Sequence, residues 1–237
     1  MSIILGIETA TKVCSIALSK DNELLAIEEL GGEYSHAENV TNFIEKVVKK
    51  ANINFNDIDV IAVSKGPGSY TGLRIGVSSA KGLCYALNKP LIAIDTLQAM
   101  ALRMAKQTTD ENLLFCPMID ARRMEVYTAI YDANNELIEP ISAKIIDENS
   151  FSKLLTDQKI VFFGDGAEKC QTLFAENKNA VFNKNVLPSA IEINELALKK
   201  LINNQLEDVA YFEPFYLKDF IATTPKKIIW KHLPAKQ

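Results

Sequence analysis

The order of predicted elements constrains this chain most, because it is nearly the same in both halves. In the first half, three strands in an antiparallel meander precede an amphipathic helix, and strand and helix then alternate. The segments are, in chain order, "SIILGIE", "KVCSIALS", "ELLAIEEL", "SHAENVTNFIEKVVKKA", "DVIAVSKG", "GLRIGVSSAKGLCYALN", "PLIAID" and "TLQAMALRMAKQ". This order predicts an α/β fold with a mixed sheet.

The second half repeats the order with different residues. Its segments are "NLLFCPMID", "MEVYTAIYD", "ELIEPISAKII", "ENSFSKLLTD", "KIVFFGDG" and "IEINELALKKLINN". Three strands again precede a helix, a strand and a last helix, which indicates an internal structural repeat. The sequence therefore predicts two related lobes, at 1–108 and 109–218, and a basic tail at 219–237. Two unrelated α/β halves are the alternative.

The charge balance does not favour a chain that binds nucleic acid over its whole surface. Lys and Arg number 26 against 30 Asp and Glu, a net charge of −4, so any RNA contact must be local or carried by a partner. The four cysteines form no C-x-x-C pair, and no apolar run is long enough to span a bilayer. These features favour a cytoplasmic protein with no membrane contact. The tail carries Lys226, Lys227, Lys231 and Lys236 without an acidic residue after Asp219.

The glycine-rich stretch "SKGPGSYTGLRIG", residues 64–76, lies between a strand and a helix. It lacks the Lys and hydroxyl of a phosphate-binding P-loop, because Leu73 and Arg74 follow Gly72. It also fails the dinucleotide pattern, because Thr71 stands at the third glycine position. Two functions of the loop fit the sequence, namely anion binding at the helix start and a purely structural turn. The residues favour the turn.

The helix after this loop has small residues at every fourth position, and they lie on one stripe. The stripe consists of Gly72, Gly76, Ala80 and Cys84. Arg74 and Lys81 are the only charges on a helix that is apolar nearly all round, so burial on more than one side is expected. Small residues let another helix approach closely, either from the same chain or from a partner protein.

Several segments together resemble the bacterial TsaB (YeaZ) family, from residue 3 to about residue 218. They are "ILGIETATKVCSIAL", "KGPGSYTGLRIGVSSAKGLCYAL", "IDTLQAMA", "MIDARRMEVYTAIY", "GDGA" and "PFYLKD". The resemblance implies an actin-like ATPase (ribonuclease H-like) fold of two related lobes, each a mixed sheet with flanking helices. It also implies a non-catalytic subunit, without catalytic residues, metal ligands or a cofactor of its own, in tRNA threonylcarbamoyladenosine biosynthesis.

The resemblance further implies a set of partners. A TsaD-like catalytic subunit transfers threonylcarbamoyl to the tRNA adenosine next to the anticodon. A TsaE-like ATPase belongs to the same complex. Contact with tRNA is expected mainly through that complex. In the family, helices of the N-terminal lobe serve both TsaD and homodimers. We therefore expect the small-residue stripe to face outward, beside the helix of residues 36–51. The expected interface residues are Gly72, Arg74, Gly76, Ser79, Ala80, Leu83, Cys84, His36 and Val40.

TsaD itself is the close alternative within this resemblance, because it shares the "GIET" opening and the glycine loop. The catalytic relative has paired histidine metal ligands soon after the strand that corresponds to "PLIAID". This chain reads "DTLQAMALRMA" there, and its histidines are His36 and His232. Since a metal site needs several convergent ligands, the sequence predicts none.

The sequence also predicts a degenerate nucleotide site. In actin-fold kinases an acidic residue after the first strand organises magnesium, and Glu8 stands here where the TsaB pattern usually has Asp. Asp120 ends the mirror-related strand, and Arg122 and Arg123 are expected to pair with it. The candidate residues are Glu8, Thr9, Thr11, Asp120, Gly164 and Gly166. A nucleotide-dependent enzyme of the actin-fold kinase type is the alternative function.

Overall fold

The first lobe is built on a five-stranded mixed sheet. The computed structural model describes residues 1–32, 36–184 and 186–218. The strands are β1 (Ile3–Glu8), β2 (Val13–Lys20), β3 (Glu23–Gly31), β4 (Val60–Gly66) and β5 (Leu91–Asp95), in the order β3-β2-β1-β4-β5. The meander β1-β2-β3 is antiparallel as expected, while β4 and β5 run parallel to β1.

Helices cover both faces of this sheet because its strands are apolar on both sides. The helices are α1 (His36–Lys50), α2 (Tyr70–Leu87), α3 (Thr96–Ala105) and α5 (Ala190–Ile202). On β1, Leu5 packs in the core under α1 and α2, whereas its neighbour Ile4 packs in the core with α3 and α5. This alternation is the two-residue period of a strand buried on both faces.

The second lobe repeats the topology of the first. Its strands are β6 (Leu114–Asp120), β7 (Glu125–Tyr131), β8 (Leu137–Ile145), β9 (Ile160–Phe163) and β10 (Ala180–Asn183), in the order β10-β9-β6-β7-β8, and its helix is α4 (Ser152–Asp157). Short 3₁₀ helices lie at Phe55–Asp57 and Glu168–Phe174. Each of the strands β6 to β10 occupies the same place in its sheet as the first-lobe strand whose number is five lower, for example β6 and β1. The predicted actin-like fold of two related lobes is therefore confirmed.

The chain returns to the first lobe after β10. Although the sequence placed it with residues 109–218, α5 packs against the first sheet, where Ile193, Leu196 and Ala197 are buried. Residues 205–218, here called the C-terminal strap, continue along that lobe. The Glu207 N–H donates to the Leu91 carbonyl at 2.9 Å.

Neither a membrane-spanning helix nor the basic tail is among the features that the structure describes. In the part of the chain that the structure describes, no helix combines the length and apolar character needed to cross a bilayer. The predicted basic tail at 219–237, with its four lysines and His232, lies outside the described residues.

Candidate functional site

The glycine-rich loop packs directly onto the turn between β1 and β2. The Ser69 N–H donates to the Ala10 carbonyl at 2.6 Å, and a Cβ on Gly68 would lie only 2.8 Å from the Ala10 Cβ. On the same turn, the Thr9 hydroxyl donates to the Gly72 carbonyl at 2.8 Å. The glycines therefore let two backbone segments touch, as a structural turn requires.

Two backbone donors at the start of α2, the N–H groups of Ser69 and Gly72, already have acceptors inside the lobe. Ser69 is the N-cap, and its hydroxyl oxygen accepts from the Gly72 N–H at 3.3 Å. Since the phosphate-binding property of a helix start depends on free N–H groups, these bonds favour the structural interpretation of the loop.

Glu8 ends β1 and is completely buried. Its Oε1 accepts a hydrogen bond from the Ala10 N–H at 2.6 Å. Burial raises the pKa of the Glu8 carboxyl to about 7, against the smaller opposing effects of the Ala10 N–H and the Ser64 hydroxyl. A carboxyl without accessible surface, and about half protonated at neutral pH, is poorly placed to organise hydrated magnesium.

Thr9 and Thr11 are also buried and make bonds inside the lobe. The Thr11 hydroxyl oxygen accepts from the Val13 N–H at 3.3 Å, while a ring nitrogen of His36 lies 2.7 Å from the Thr11 carbonyl oxygen. His36 thus fixes the start of α1 to the β1–β2 turn. Within the described ranges, no three His, Cys, Asp or Glu side chains converge as metal ligands.

The corresponding turn of the second lobe is built in the same way. Gly164 has a φ of 96°, and a Cβ there would overlap the Met118 carbonyl at the end of β6. A Cβ on Gly166 would lie 3.0 Å from the Asp120 backbone nitrogen. The "GDGA" turn therefore packs on β6 as the glycine-rich loop packs on the β1–β2 turn, and its glycines have a packing role.

Asp120 is half-exposed beside this turn, but its partner differs from the expected one. Its carboxylate makes an ion pair with Lys169, and it accepts the main-chain N–H of Arg122 at 3.0 Å. The expected ion pairs with Arg122 and Arg123 are not formed. The reason is that the Lys169 ammonium lies between this carboxylate and the Glu125 carbonyl, to which it donates at 2.7 Å.

The small-residue stripe of α2 faces into its own lobe, so the expected outward orientation is wrong. A Cβ on Gly72 would overlap the Thr9 carbonyl oxygen. A Cβ on Gly76 would overlap the Thr9 hydroxyl and lie 3.6 Å from Ile7 Cγ2. The stripe brings α2 close to β1 rather than to another chain.

Four further residues of the expected interface are buried as well. Ala80 and Cys84 belong to the core beneath α2, and burial raises the pKa of the Cys84 thiol to about 12. His36 and Val40 on α1 are 3% and 1% exposed. The expected packing of α1 beside α2 is confirmed, but these residues shape the helix pair from within.

The accessible side of α2 lies opposite the stripe and is here called the outer face. It consists of Thr71, Arg74, Ser78, Gly82 and Tyr85, with Tyr85 89% exposed. Of the residues expected from the sequence, only Arg74 belongs to it. Ser79 and Leu83 are half-buried beside it.

The C-terminal strap covers one flank of the outer face, and sequence reasoning missed it. The Arg74 guanidinium donates to the Tyr216 hydroxyl at 3.3 Å. The Lys81 ammonium donates to the carbonyls of Ala210 and Phe212, each at 3.1 Å. One sequence signal for this contact was available. Arg74 and Lys81 are seven residues apart and therefore lie on one side of the helix, where both can donate to the same segment.

Comparisons with known proteins agree on one family. A model described as TsaD, tRNA N6-adenosine threonylcarbamoyltransferase, matches residues 32–226. The tRNA threonylcarbamoyladenosine biosynthesis protein TsaB of Escherichia coli is 30% identical over 239 residues, covering 99% of both chains. TsaB of Haemophilus influenzae is 28% identical over 243 residues, covering 99% of this chain and 98% of that protein.

A solved structure supports the same fold. A Pseudomonas aeruginosa protein, described as similar to peptidase YeaZ, superposes with a TM-score of 0.81 at 24% identity, covering 92% of this chain and 100% of the other. The matches name two kinds of protein, TsaD and TsaB. The two TsaB relatives align with this chain over nearly the whole length of both proteins, which favours TsaB. The chain belongs to the family that the threonylcarbamoyltransferase model describes, and within it to the TsaB (YeaZ) proteins of tRNA threonylcarbamoyladenosine biosynthesis.

Proposed function

We propose that this protein is the non-catalytic scaffold and activator subunit of the complex that transfers threonylcarbamoyl to the tRNA adenosine next to the anticodon. The observation that carries the proposal is the state of the first-lobe turn. Glu8, Thr9 and Thr11 are buried, and the glycine-rich loop fills the space above them. The groups that an actin-fold kinase would direct at nucleotide and magnesium here hold the lobe together.

The catalytic partner in this proposal is a TsaD-like subunit, with a TsaE-like ATPase in the same complex. The inward position of the stripe moves the proposed docking surface to the outer face of α2 and the adjoining exposed side of α1. Tyr85 is the largest apolar side chain on that outer face, and exposed aromatic residues are enriched among interface residues that contribute strongly to binding. A homodimer through the same helices would compete with the partner.

Reconstitution with purified subunits tests the proposal. The full chain is incubated with unmodified tRNA transcript, threonine, bicarbonate and ATP, together with the enzyme that makes the threonylcarbamoyl adenylate, with and without the TsaD-like and TsaE-like subunits. Product is expected only when the TsaD-like subunit is present, and more of it when this chain is added. Modified adenosine formed without that subunit would contradict the scaffold role.

ATP turnover by the chain alone separates the proposal from the kinase-type alternative. The measurement compares wild type with Glu8→Gln at saturating magnesium. Turnover that disappears in the variant would favour an enzyme and would contradict a non-catalytic subunit.

A further inference from the structure

The hairpin between β6 and β7 carries two exposed arginines that no internal contact explains. Neither Arg122 nor Arg123 makes a side-chain ion pair with a described residue. Their φ values are 71° and 47°, a region that glycine adopts freely and asparagine more readily than arginine. The turn itself would therefore be better served by other residues, so its backbone conformation does not explain the two arginines.

The carboxylates around this hairpin already have donors of their own. The pairs are Asp120 with Lys169, Glu125 with Lys218, Asp165 with the Asp120 N–H at 3.0 Å, and Asp147 with the Ser150 hydroxyl at 2.8 Å. Asp147 belongs to this set because the preceding Ile146 donates its N–H to the Met124 carbonyl at the hairpin. The two guanidinium groups consequently keep their charge available for a ligand.

A third cation comes from the first lobe. Lys12 is exposed in the β1–β2 turn, and it lies close enough to Asp165 to oppose the rise in pKa that burial causes there. The described chain ends at Lys218, whose ammonium is paired with Glu125 at the base of the hairpin. Arg122, Arg123 and Lys12 are thus the exposed cations of this region that have no ion-pair partner among the described residues.

We propose that Arg122 and Arg123, together with Lys12 near the adjoining Asp165, form a contact surface for phosphates of an RNA backbone. Guanidinium groups bind phosphate oxygens in a two-pronged geometry, which suits a protruding and unpaired arginine pair. Because the net charge of the chain is −4, an RNA contact is expected from a local cluster of cations and not from the whole surface. The proposal rests on the tRNA-modifying role proposed above and adds a direct contact to it.

The test measures binding of an unmodified tRNA transcript to the full chain, alone and in complex with the TsaD-like subunit, by fluorescence anisotropy across about 50 to 200 mM salt. The double variant Arg122→Gly/Arg123→Gly is expected to bind roughly tenfold more weakly at about 0.1 M salt and to reduce the salt slope by about two. Its thermal unfolding temperature is expected to be no lower than that of wild type, because glycine tolerates both φ values.

Two matched variants complete the design. Arg122→Lys/Arg123→Lys keeps the charge and is expected to retain most of the salt slope. Lys153→Ala/Lys178→Ala removes the same charge from exposed positions elsewhere in the second lobe and is expected to leave the slope unchanged.

Three results would contradict the proposed RNA contact. They would leave the scaffold role unaffected, because the reconstitution experiment tests that role separately. They are an unchanged slope in the glycine variant, an equal loss in the Lys153/Lys178 variant, and no salt-dependent binding by wild type in either form. Normal tRNA binding with loss of the TsaD-like subunit would instead identify the hairpin as a protein contact.

Discussion

The Thr9 hydroxyl donates a 2.8 Å hydrogen bond to the Gly72 carbonyl, joining the turn after β1 to the first turn of α2. The bond is possible because Gly72 has no Cβ, which would occupy the position of the Thr9 carbonyl oxygen. The most recognisable motif of the sequence is thus explained by contacts inside one lobe. Its effect on a partner is indirect, through the position that it gives to α2.

Replacing Gly76 with alanine is expected to lower the free energy of unfolding by about 1 to 3 kcal/mol, because the added methyl overlaps the Thr9 hydroxyl. Gly82 on the same helix is the matched control, since a Cβ there meets nothing within 4 Å. Gly82→Ala is expected to raise the free energy of unfolding by up to about 1 kcal/mol. Urea denaturation followed by circular dichroism measures both, and equal stability of the two variants would contradict the inward stripe.

Glu8 is expected to make the stability of the protein depend on pH. Its pKa is about 7 in the folded chain against an ordinary value of 4.5, so folding favours the protonated carboxyl. The resulting stabilisation is complete below about pH 4.5 and is lost as the pH rises through 7, an effect of about 3 kcal/mol. Glu8→Gln cannot ionise, so its stability relative to wild type is expected to improve by that amount between pH 4.5 and pH 8.

Urea denaturation at the two pH values measures this difference. The exposed Glu45→Gln on α1 serves as the control, because it removes one carboxylate without changing a buried group. An equal pH response in Glu8→Gln and Glu45→Gln would show that burial of Glu8 has no such consequence.

Tyr85→Ala is expected to weaken binding of the TsaD-like subunit at least about tenfold, because exposed aromatic residues at the centre of an interface contribute most to affinity. Its own stability is expected to stay within about 0.5 kcal/mol of wild type, since the side chain is solvent-exposed. Ile202→Ala is the matched control, an exposed apolar residue on α5 at the opposite side of the sheet. Calorimetric titration with both variants decides the matter, and unchanged affinity of Tyr85→Ala would remove the outer face from the interface.

Lys81→Ala is expected to loosen the C-terminal strap, because it removes the donor to the carbonyls of Ala210 and Phe212. The cost is about 1 kcal/mol for bonds at a partly exposed site. Amide hydrogen exchange of residues 205–218 should become faster, while that of the second sheet should not change. The exposed Lys20→Ala is the control, and unchanged exchange in Lys81→Ala would mean that apolar contacts alone hold the strap.

The repeated lobes could be predicted from sequence because each strand and helix has a local apolar period. The period of "IEINELALKKLINN" indicated a helix with a buried face, but it carries no information on which sheet receives that face. In the structure Ile193 and Leu196 pack against the first sheet. Long-range pairing of this kind depends on surfaces that are far apart in the chain.

The sequence identified the residues of the candidate site, but it did not predict which way their side chains face. Spacing alone indicated that the side bearing Gly72 and Gly76 approaches something closely, and a partner helix fitted as well as the lobe itself. The deciding fact is the position of the Thr9 carbonyl, which belongs to a turn more than sixty residues earlier. Arg122 and Arg123 were likewise identified, but the ion pairs predicted for them with Asp120 are not formed, because Lys169 reaches Asp120 from another element.

The return of α5 to the first sheet has a consequence for synthesis of the protein. Ile4, Val60 and Ile92 form an apolar sheet surface that α5 helps to bury, yet Ile193 and Leu196 are translated after almost the entire second lobe. The first lobe therefore cannot be completed until α5 has been synthesised, and the part of that surface under α5 is uncovered until then. A fragment ending at residue 108 would expose the same surface, because a cut at the predicted boundary would separate the first sheet from one of the helices that cover it.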